Sequence, residues 1–353
     1  MNVHGIDHIE FYVGDAKQSA FYFCTAFGFR LLGETSPAVA GHRSLLLQQG
    51  GIRLVLTSAL TDDHPAADYV RRHGDGVAVI AFVTPDARAA HGTAVRRGAV
   101  SLAGPTVHEN GAARVVTADV AGFGDVVHRF VERHGAEQEF LPGTVDLLAP
   151  DPEESEERLT LVDHIAVCLP AGELDATVGH YTEVFGFRQI FEELIEVGAQ
   201  AMDSKVVQSP GGEITFTLIQ PVPGRQPGQI DDFLARHGGA GVQHLALLTH
   251  DIVGTVTALQ DRGVRFLSTP AAYYRGLRER MGRTEVAVDA IEETNVLVDR
   301  DHWGELFQIF TQSEHVRRTY FTEIIDRHGA RTFGSGNIKA LYEAVEREKT
   351  PTS

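Results

Sequence analysis

Three polar side chains stand on strand faces that are otherwise apolar: His164, His244 and Glu323. Alternate residues of a strand share a face, so His164 sits with Val162, Ala166 and Cys168, His244 with Val242 and Ala246, and Glu323 with Phe321 and Ile325. A lone ionised carboxylate on such a face costs roughly 3 kcal/mol or more unless it meets a cation. The chain has 17 histidines, so either imidazole taken singly reads as a hydrogen-bonded core residue. The joint pattern points elsewhere.

Two imidazoles and one carboxylate on separate strands match the facial triad by which non-haem Fe(II) oxygenases hold iron, with three positions left open for substrate and O2. Zinc competes, because open sites with two histidines and a glutamate also serve zinc hydrolases. Those place their ligands on a helix as H-E-x-x-H, a pattern this chain lacks.

Further polar residues of the same region fall on inward faces: Ser204, Thr215, Thr217, Gln229, Gln243 and Gln308. Most of them suit the ordinary task of satisfying buried backbone groups. Gln308 differs, since it lies between Leu306 and Phe310 on one strand face and its amide wants a polar ligand or side chain. Phe310 serves equally as an aromatic wall for a flat ligand or as plain core. The stretch Phe333-Gly334-Ser335-Gly336-Asn337 has no phosphate-loop lysine and reads as a flexible hinge before a last helix. In that helix Ile338, Leu341, Tyr342 and Val345 form one apolar stripe, suited to gating a site against water.

The elements that must hold these residues are written twice. Ile6-Asp7-His8-Ile9 is echoed by Val162-Asp163-His164-Ile165, and Phe27-Gly28-Phe29-Arg30 by Phe185-Gly186-Phe187-Arg188. The echoes continue in order as Arg72-His73-Gly74 with Arg236-His237-Gly238, Arg97-Gly98 with Arg262-Gly263, and Arg133-His134-Gly135 with Arg327-His328-Gly329. Each copy predicts an alternating strand (Ile6 to Val13; Val162 to Leu169), an amphipathic helix ending near the Phe-Gly-Phe, then short strands between glycine turns. The fold class is therefore α+β with curled, mostly antiparallel sheets. Aligned on the echoes, His8 matches His164, but Val79 stands where His244 is and Arg129 where Glu323 is. Only the second copy carries the full metal set. It also carries extra length between Gly263 and Gly329. The predicted divisions are a degenerate domain over 1–145, an acidic linker over 146–160, and a metal-binding domain with its terminal helix over 161–353.

Composition limits the partners. A length of 353 residues suits two ordinary cores. A formal charge of -17 repels nucleic acid and anionic membrane. The two cysteines, Cys24 and Cys168, lie in apolar stretches and read as free thiols in a reducing compartment. With no signal-peptide pattern and no membrane-length apolar run, the expected location is the cytoplasm.

Val162-Asp163-His164, Gly241-Val242-Gln243-His244, Leu306-Phe307-Gln308-Ile309-Phe310-Thr311, Phe321-Thr322-Glu323-Ile324-Ile325 and Gly336-Asn337-Ile338-Lys339-Ala340-Leu341 together resemble the 4-hydroxyphenylpyruvate dioxygenase and 4-hydroxymandelate synthase family of the vicinal oxygen chelate fold. The resemblance covers nearly the whole chain and is strongest after residue 160. It implies two domains of repeated βαβββ units, each an open barrel-like sheet, with a C-terminal gating helix, in a homo-oligomer. It implies Fe(II) on His164, His244 and Glu323, chelated by the substrate's 2-oxo acid, with Ser204, Gln229, Gln243, Gln308, Phe310 and Asn337 in or beside the pocket.

Three positions depart from the dioxygenase branch, which carries Phe, Pro and Asn where this chain has Ile338, Thr217 and Ile219. All three look like the hydroxymandelate-forming branch. Both branches decarboxylate 4-hydroxyphenylpyruvate with O2. Ring attack with side-chain migration gives homogentisate, and hydroxylation of the benzylic CH2 gives 4-hydroxymandelate. A Phe wall would brace the ring toward the oxidant, whereas the smaller Ile338 lets it rotate and present the benzylic carbon. The expected reaction is formation of 4-hydroxymandelate and CO2, with Gln308, Phe310 and Ile338 bearing on the chemistry. The alternatives are a homogentisate-forming dioxygenase, or a vicinal oxygen chelate protein that sequesters a ligand without chemistry.

Overall fold

The copy-and-repeat pattern reappears as two sheets in a computed structural model that describes residues 1–111, 113–135, 139–149, 156–334, 336–337 and 339. The first sheet uses β1 (Ile6–Tyr12), β2 (Arg30–Thr35), β3 (His42–Gln49), β4 (Ile52–Ala59), β5 (Gly76–Val83), β6 (Ser101–Asn110), β7 (Ala113–Ala121), β8 (Val127–His134) and β9 (Val145–Leu147). The second uses β10 (Leu161–Cys168), β11 (Arg188–Val197), β12 (Gln200–Gln208), β13 (Thr215–Pro221), β14 (Gly241–Leu248), β15 (Leu297–Arg300), β16 (Glu305–Phe310) and β17 (Phe321–His328).

Their orders are β6-β7-β8-β5-β1-β4-β3-β2-β9 and β11-β12-β13-β10-β14-β17-β16-β15. Each sheet is a pair of βαβββ units joined through their first strands, β1 against β5 and β10 against β14, both antiparallel. Within a unit the first and last strands pair in parallel, as β10 does with β13 and β14 with β17. That parallel closure curls the sheet around a hollow. The central strands β10, β14 and β17 therefore put their inward side chains at the seam of two units.

The helices entering the Phe-Gly-Phe echoes are alike in both copies. Ala16–Tyr22 and Leu174–His180 each run into one wider π-turn, Phe23–Phe27 and Tyr181–Phe185. Gly28 (φ 79°) and Gly186 (φ 73°) end them in the left-handed conformation, which glycine adopts without steric cost. The extra length of the second copy forms helices Ala271–Met281 and Val288–Glu293 and leads into β15.

The domains share one apolar core that runs through both sheets. Phe11 meets Tyr320 edge-on at 5.0 Å, and the His128 imidazole shares a 2.7 Å hydrogen bond with the Tyr181 hydroxyl. The echoed His73 and His237 stack on each other at 4.4 Å across the boundary. The connecting segment is partly tied down: β9 pairs with β2 through Leu147, and the Leu159 amide donates to Gln49 Oε1 at 2.8 Å. The acidic run over 151–155 lies outside the described residues, as do Ile338 and the stripe residues that follow it. Among the described residues no helix is long and apolar enough to cross a membrane.

Candidate metal centre and its cavity

Register explains how three distant residues meet. Across β10 and β14, His164 faces Ala246 and His244 faces Ala166, so the two imidazoles are diagonal neighbours with a small residue opposite each. Across β14 and β17, Ala246 also faces Glu323. The alanines leave the space that three converging side chains need. Their donor atoms all lie within 4.8 Å of one another. Glu323 Oε2 is 3.3 Å from His164 Nε2 and 3.2 Å from His244 Nε2. Neighbouring ligands on an ion with bonds of about 2.1 Å are themselves about 3.0 Å apart, so the set fits one small divalent cation.

A second observation agrees. Glu323 Oε1 is buried without any hydrogen-bond partner, and a carboxylate oxygen stripped of water in this way is costly unless it has a cation to bind. Without a metal, a proton takes the cation's place. Burial disfavours charge on His164, but the Glu323 carboxylate and the hydrogen bonds to Asp163 and Glu323 overcome it and raise the imidazole to about 9. Burial likewise pushes the Glu323 carboxyl up, and His164 with hydrogen bonds from both histidines more than reverses this, holding it at about 2. His244 is lowered, chiefly by burial.

The other ring nitrogens are fixed by the preceding residue in the chain. His164 Nδ1 bonds Asp163 Oδ1 at 2.9 Å and His244 Nδ1 bonds Gln243 Oε1 at 3.2 Å, which leaves each Nε2 lone pair for a metal. Asp163 is itself clamped by Arg327 through bonds of 2.7 and 2.8 Å. The Arg327 guanidinium lies over the Phe333 ring at 5.2 Å, and that ring meets His164 edge-on at 5.2 Å. Phe321 stacks on His244 at 4.8 Å.

The first copy retains this support without the metal set. Arg133 clamps Asp7 through bonds of 2.8 and 2.7 Å, and Asp7 holds His8 Nδ1 at 2.7 Å. Phe140 takes the place of Phe333, 4.9 Å from the His8 ring. The register places Val79 at the position of His244 and Arg129 at that of Glu323, facing Ala81 as Glu323 faces Ala246. Arg129 forks onto Asp119 with two 2.9 Å bonds and reaches Glu10 at 3.4 Å. Glu10 and Asp119 stand where the second copy has Ala166 and Phe310. A fixed guanidinium between two carboxylates fills this centre with an internal cation.

In the second copy the triad opens onto a cavity with a largely apolar surface, the kind of lining usual for small-molecule sites. The structure brings Ser204, Thr217, Ile219, Gln229, Gln243, Gln308 and Phe310 to its wall together with the three ligands. Thr215 shares a face with Thr217 but falls outside the lining, and its hydroxyl accepts from Gln208 Nε2 at 3.0 Å. Asn337 lies behind the wall, bonded to Gln308 at 3.4 Å. Ile338 is outside the described residues.

The sequence reading did not single out Phe191, Glu193, Ile195, Met202, Val206, Ile230 and Phe333, all of which line the cavity. The alternation of β11 and β12 carried a signal for five of them, because Phe191, Glu193 and Ile195 share one face, as do Met202, Ser204 and Val206. Phe333 gave none, being next to glycines. Gly334 is needed for close approach as well as for its φ of 65°: a Cβ there would stand 2.5 Å from Gln308 Oε1.

Comparison with known proteins adds a family. The Glyoxalase/Bleomycin resistance protein/Dioxygenase superfamily matches residues 5–125 and 161–309. The 4-hydroxyphenylpyruvate dioxygenases of Dictyostelium discoideum and Yarrowia lipolytica are each 34% identical over 98% of this chain, and over 98% and 92% of their own lengths. The solved structure of a triple mutant of 4-hydroxymandelate synthase from Streptomyces coelicolor is 45% identical, with 99% of this chain and 100% of that one covered at a TM-score of 0.91.

Proposed function

The chain belongs to the 4-hydroxyphenylpyruvate dioxygenase family, and we propose that it binds Fe(II) and converts 4-hydroxyphenylpyruvate and O2 to 4-hydroxymandelate and CO2. The observation that carries this reading is the union of a buried two-histidine, one-carboxylate set with a cavity whose wall includes Phe191, Phe310, Phe333, Thr217 and Ile219. Family membership favours iron over zinc, and a binding protein without chemistry has no use for the orphaned Glu323 Oε1.

Bound Fe(II) supplies O2 activation coupled to loss of CO2 from the 2-oxo acid. The side chains do the rest. His164, His244 and Glu323 would hold the ion, and Asp163 and Gln243 fix the imidazole tautomers. Phe191, Phe310 and Phe333 provide flat apolar walls that exclude water and hold an aryl ring. Ser204, Gln229, Gln243 and Gln308 supply the polar contacts that orient the substrate's oxygens.

Product choice is positional, since a shift of about 1 Å alters which carbon is in reach. Thr217 and Ile219 shape the wall on which the ring settles, and the 45% identity to a 4-hydroxymandelate synthase supports the benzylic outcome. The runner-up is homogentisate, favoured by the names of the 34% identical relatives. O2 uptake by iron-loaded protein with 4-hydroxyphenylpyruvate, phenylpyruvate and an indole analogue, read together with CO2 release, tests the reading. Equal uptake and CO2, strictly iron-dependent and fastest with 4-hydroxyphenylpyruvate, is expected. Flat O2 with Fe(II) present would leave only ligand sequestration.

A further inference from the structure

The arginine of each Arg-His-Gly echo serves two targets with one guanidinium. Arg327, near the end of β17, forks onto Asp163 at 2.7 and 2.8 Å, and Asp163 bonds the ring of His164. Its remaining terminal nitrogen donates to Thr332 O at 2.8 Å and to Ala330 O at 3.3 Å. Those two carbonyls belong to the stretch that leaves β17 and brings Phe333 into the cavity wall. The guanidinium also lies over the Phe333 ring at 5.2 Å, and that ring meets His164 at 5.2 Å and Phe191 at 6.4 Å.

The first copy shows what the arrangement does without a metal set. Arg133 forks onto Asp7, donates to the carbonyls of Glu139 and Phe140, and lies over the Phe140 ring at 4.9 Å. Phe140 packs with Leu46, Val55 and Val145 and meets His8. The stretch that follows β8 is thereby fastened against the inner face of its own sheet. Because this device persists where Val79 and Arg129 replace two of the ligands, holding a metal ligand is not its whole purpose. What both copies share is a returning stretch pinned by its carbonyls, with a Phe seated against the echoed His. Only a guanidinium suits both targets, since its N–H groups form a rigid fork on one side and leave donors for the other, whereas an ammonium is a single point.

We propose that Arg327 is a positioning residue with two targets: through Asp163 it orients the metal ligand His164, and through the Ala330 and Thr332 carbonyls it seats Phe333 as a wall for the substrate's aryl ring. The metal site and the aryl wall thus share one support. The inference rests on the reading that the cavity takes an aryl 2-oxo acid.

The test is anaerobic titration with Fe(II), followed by calorimetric binding of 4-hydroxyphenylpyruvate at saturating Fe(II). Arg327→Lys keeps the charge but not the fork, and is expected to weaken Fe(II) about tenfold and 4-hydroxyphenylpyruvate about fivefold. Asp163→Asn, in which Arg327 keeps both carbonyls, should weaken Fe(II) alone. Phe333→Leu should weaken 4-hydroxyphenylpyruvate with little change in Fe(II), and adding Arg327→Lys to it should cost no further ligand affinity. Arg133→Lys makes the same change in the copy without a metal set and should leave both affinities as they are. Unchanged 4-hydroxyphenylpyruvate affinity in Arg327→Lys, an equal loss of it in Asp163→Asn, or losses in Arg133→Lys that match those in Arg327→Lys would overturn the inference while leaving the proposed function standing. Failure of the wild-type holoprotein to bind the 2-oxo acid would overturn both.

Discussion

Asp163→Asn and Asp7→Asn are the same substitution made in two copies of one support, only one of which lies beneath a metal set. In each copy an Arg clamps the Asp with two bonds and the Asp orients a His. Stripping one partner from a buried ion pair costs about 3–5 kcal/mol. Asn keeps one acceptor, and Arg327 retains the Thr332 and Ala330 carbonyls at 2.8 and 3.3 Å, so about 2–3 kcal/mol is the reasonable loss here. At roughly 2–4 °C per kcal/mol for domains of this size, melting should fall by about 5–10 °C in either variant. Metal affinity separates them. The Asp163→Asn amide can place an N–H toward His164 Nδ1, which favours the tautomer whose Nε2 carries the proton and cannot ligate, and loss of such an orienting partner costs about 10–100-fold in affinity. Asp7 lies beneath no metal set, so Asp7→Asn should bind metal as the wild type does. Thermal melts of metal-free protein and metal titrations of both variants are the assays. Equal weakening of metal binding in the two, or an unaffected Asp163→Asn, would refute the assignment of Asp163 as the group that orients His164.

Other outcomes follow from the same geometry. Because His164 in the metal-free site stays protonated up to about 9, loading a divalent ion at pH 7 should release close to one proton per ion, read as a buffer-dependent enthalpy in calorimetry; no release at pH 7 would contradict the described electrostatics. His237 is held down to about 4 by burial and by the facing His73. Its folded pKa lies below its unfolded value near 6.5, so the unfolded chain takes up the proton first as pH falls. Stability is then full above about 6.5 and declines by about 2 kcal/mol between pH 7 and 5. Chemical unfolding at the two pH values should show this slope, and His237→Gln should flatten it. Ile338→Phe should divert part of the flux from 4-hydroxymandelate to homogentisate, and an unchanged product ratio on chromatography would count against the wall argument.

The grouping of His164, His244 and Glu323 was legible because strand alternation has a period of two and each of them breaks an apolar face. The duplicated motifs were legible too, and they located the vestigial centre at Val79 and Arg129. What alternation could not show was how far a sheet curls. Phe191 and Glu193 sit on the edge strand β11, three strands from β10, and only the curvature of the half-barrel turns them toward His164, His244 and Glu323. Thr215 illustrates the opposite error of scale, being on the correct face but beyond the cavity's end. The clamp of Asp163 by Arg327 joins residues 164 positions apart; the echo of Arg133 by Arg327 marked that arginine without saying what it touches. The glycines at 334 and 336 suggested a hinge, whereas Gly334 answers to the close approach of Gln308.

The most direct measurement is product analysis after iron-loaded protein turns over 4-hydroxyphenylpyruvate under labelled O2. The account expects 4-hydroxymandelate as the dominant product, one labelled oxygen on its benzylic carbon and one in its carboxylate, with one CO2 per O2 consumed and no turnover in His244→Ala. Homogentisate as the dominant product would contradict it.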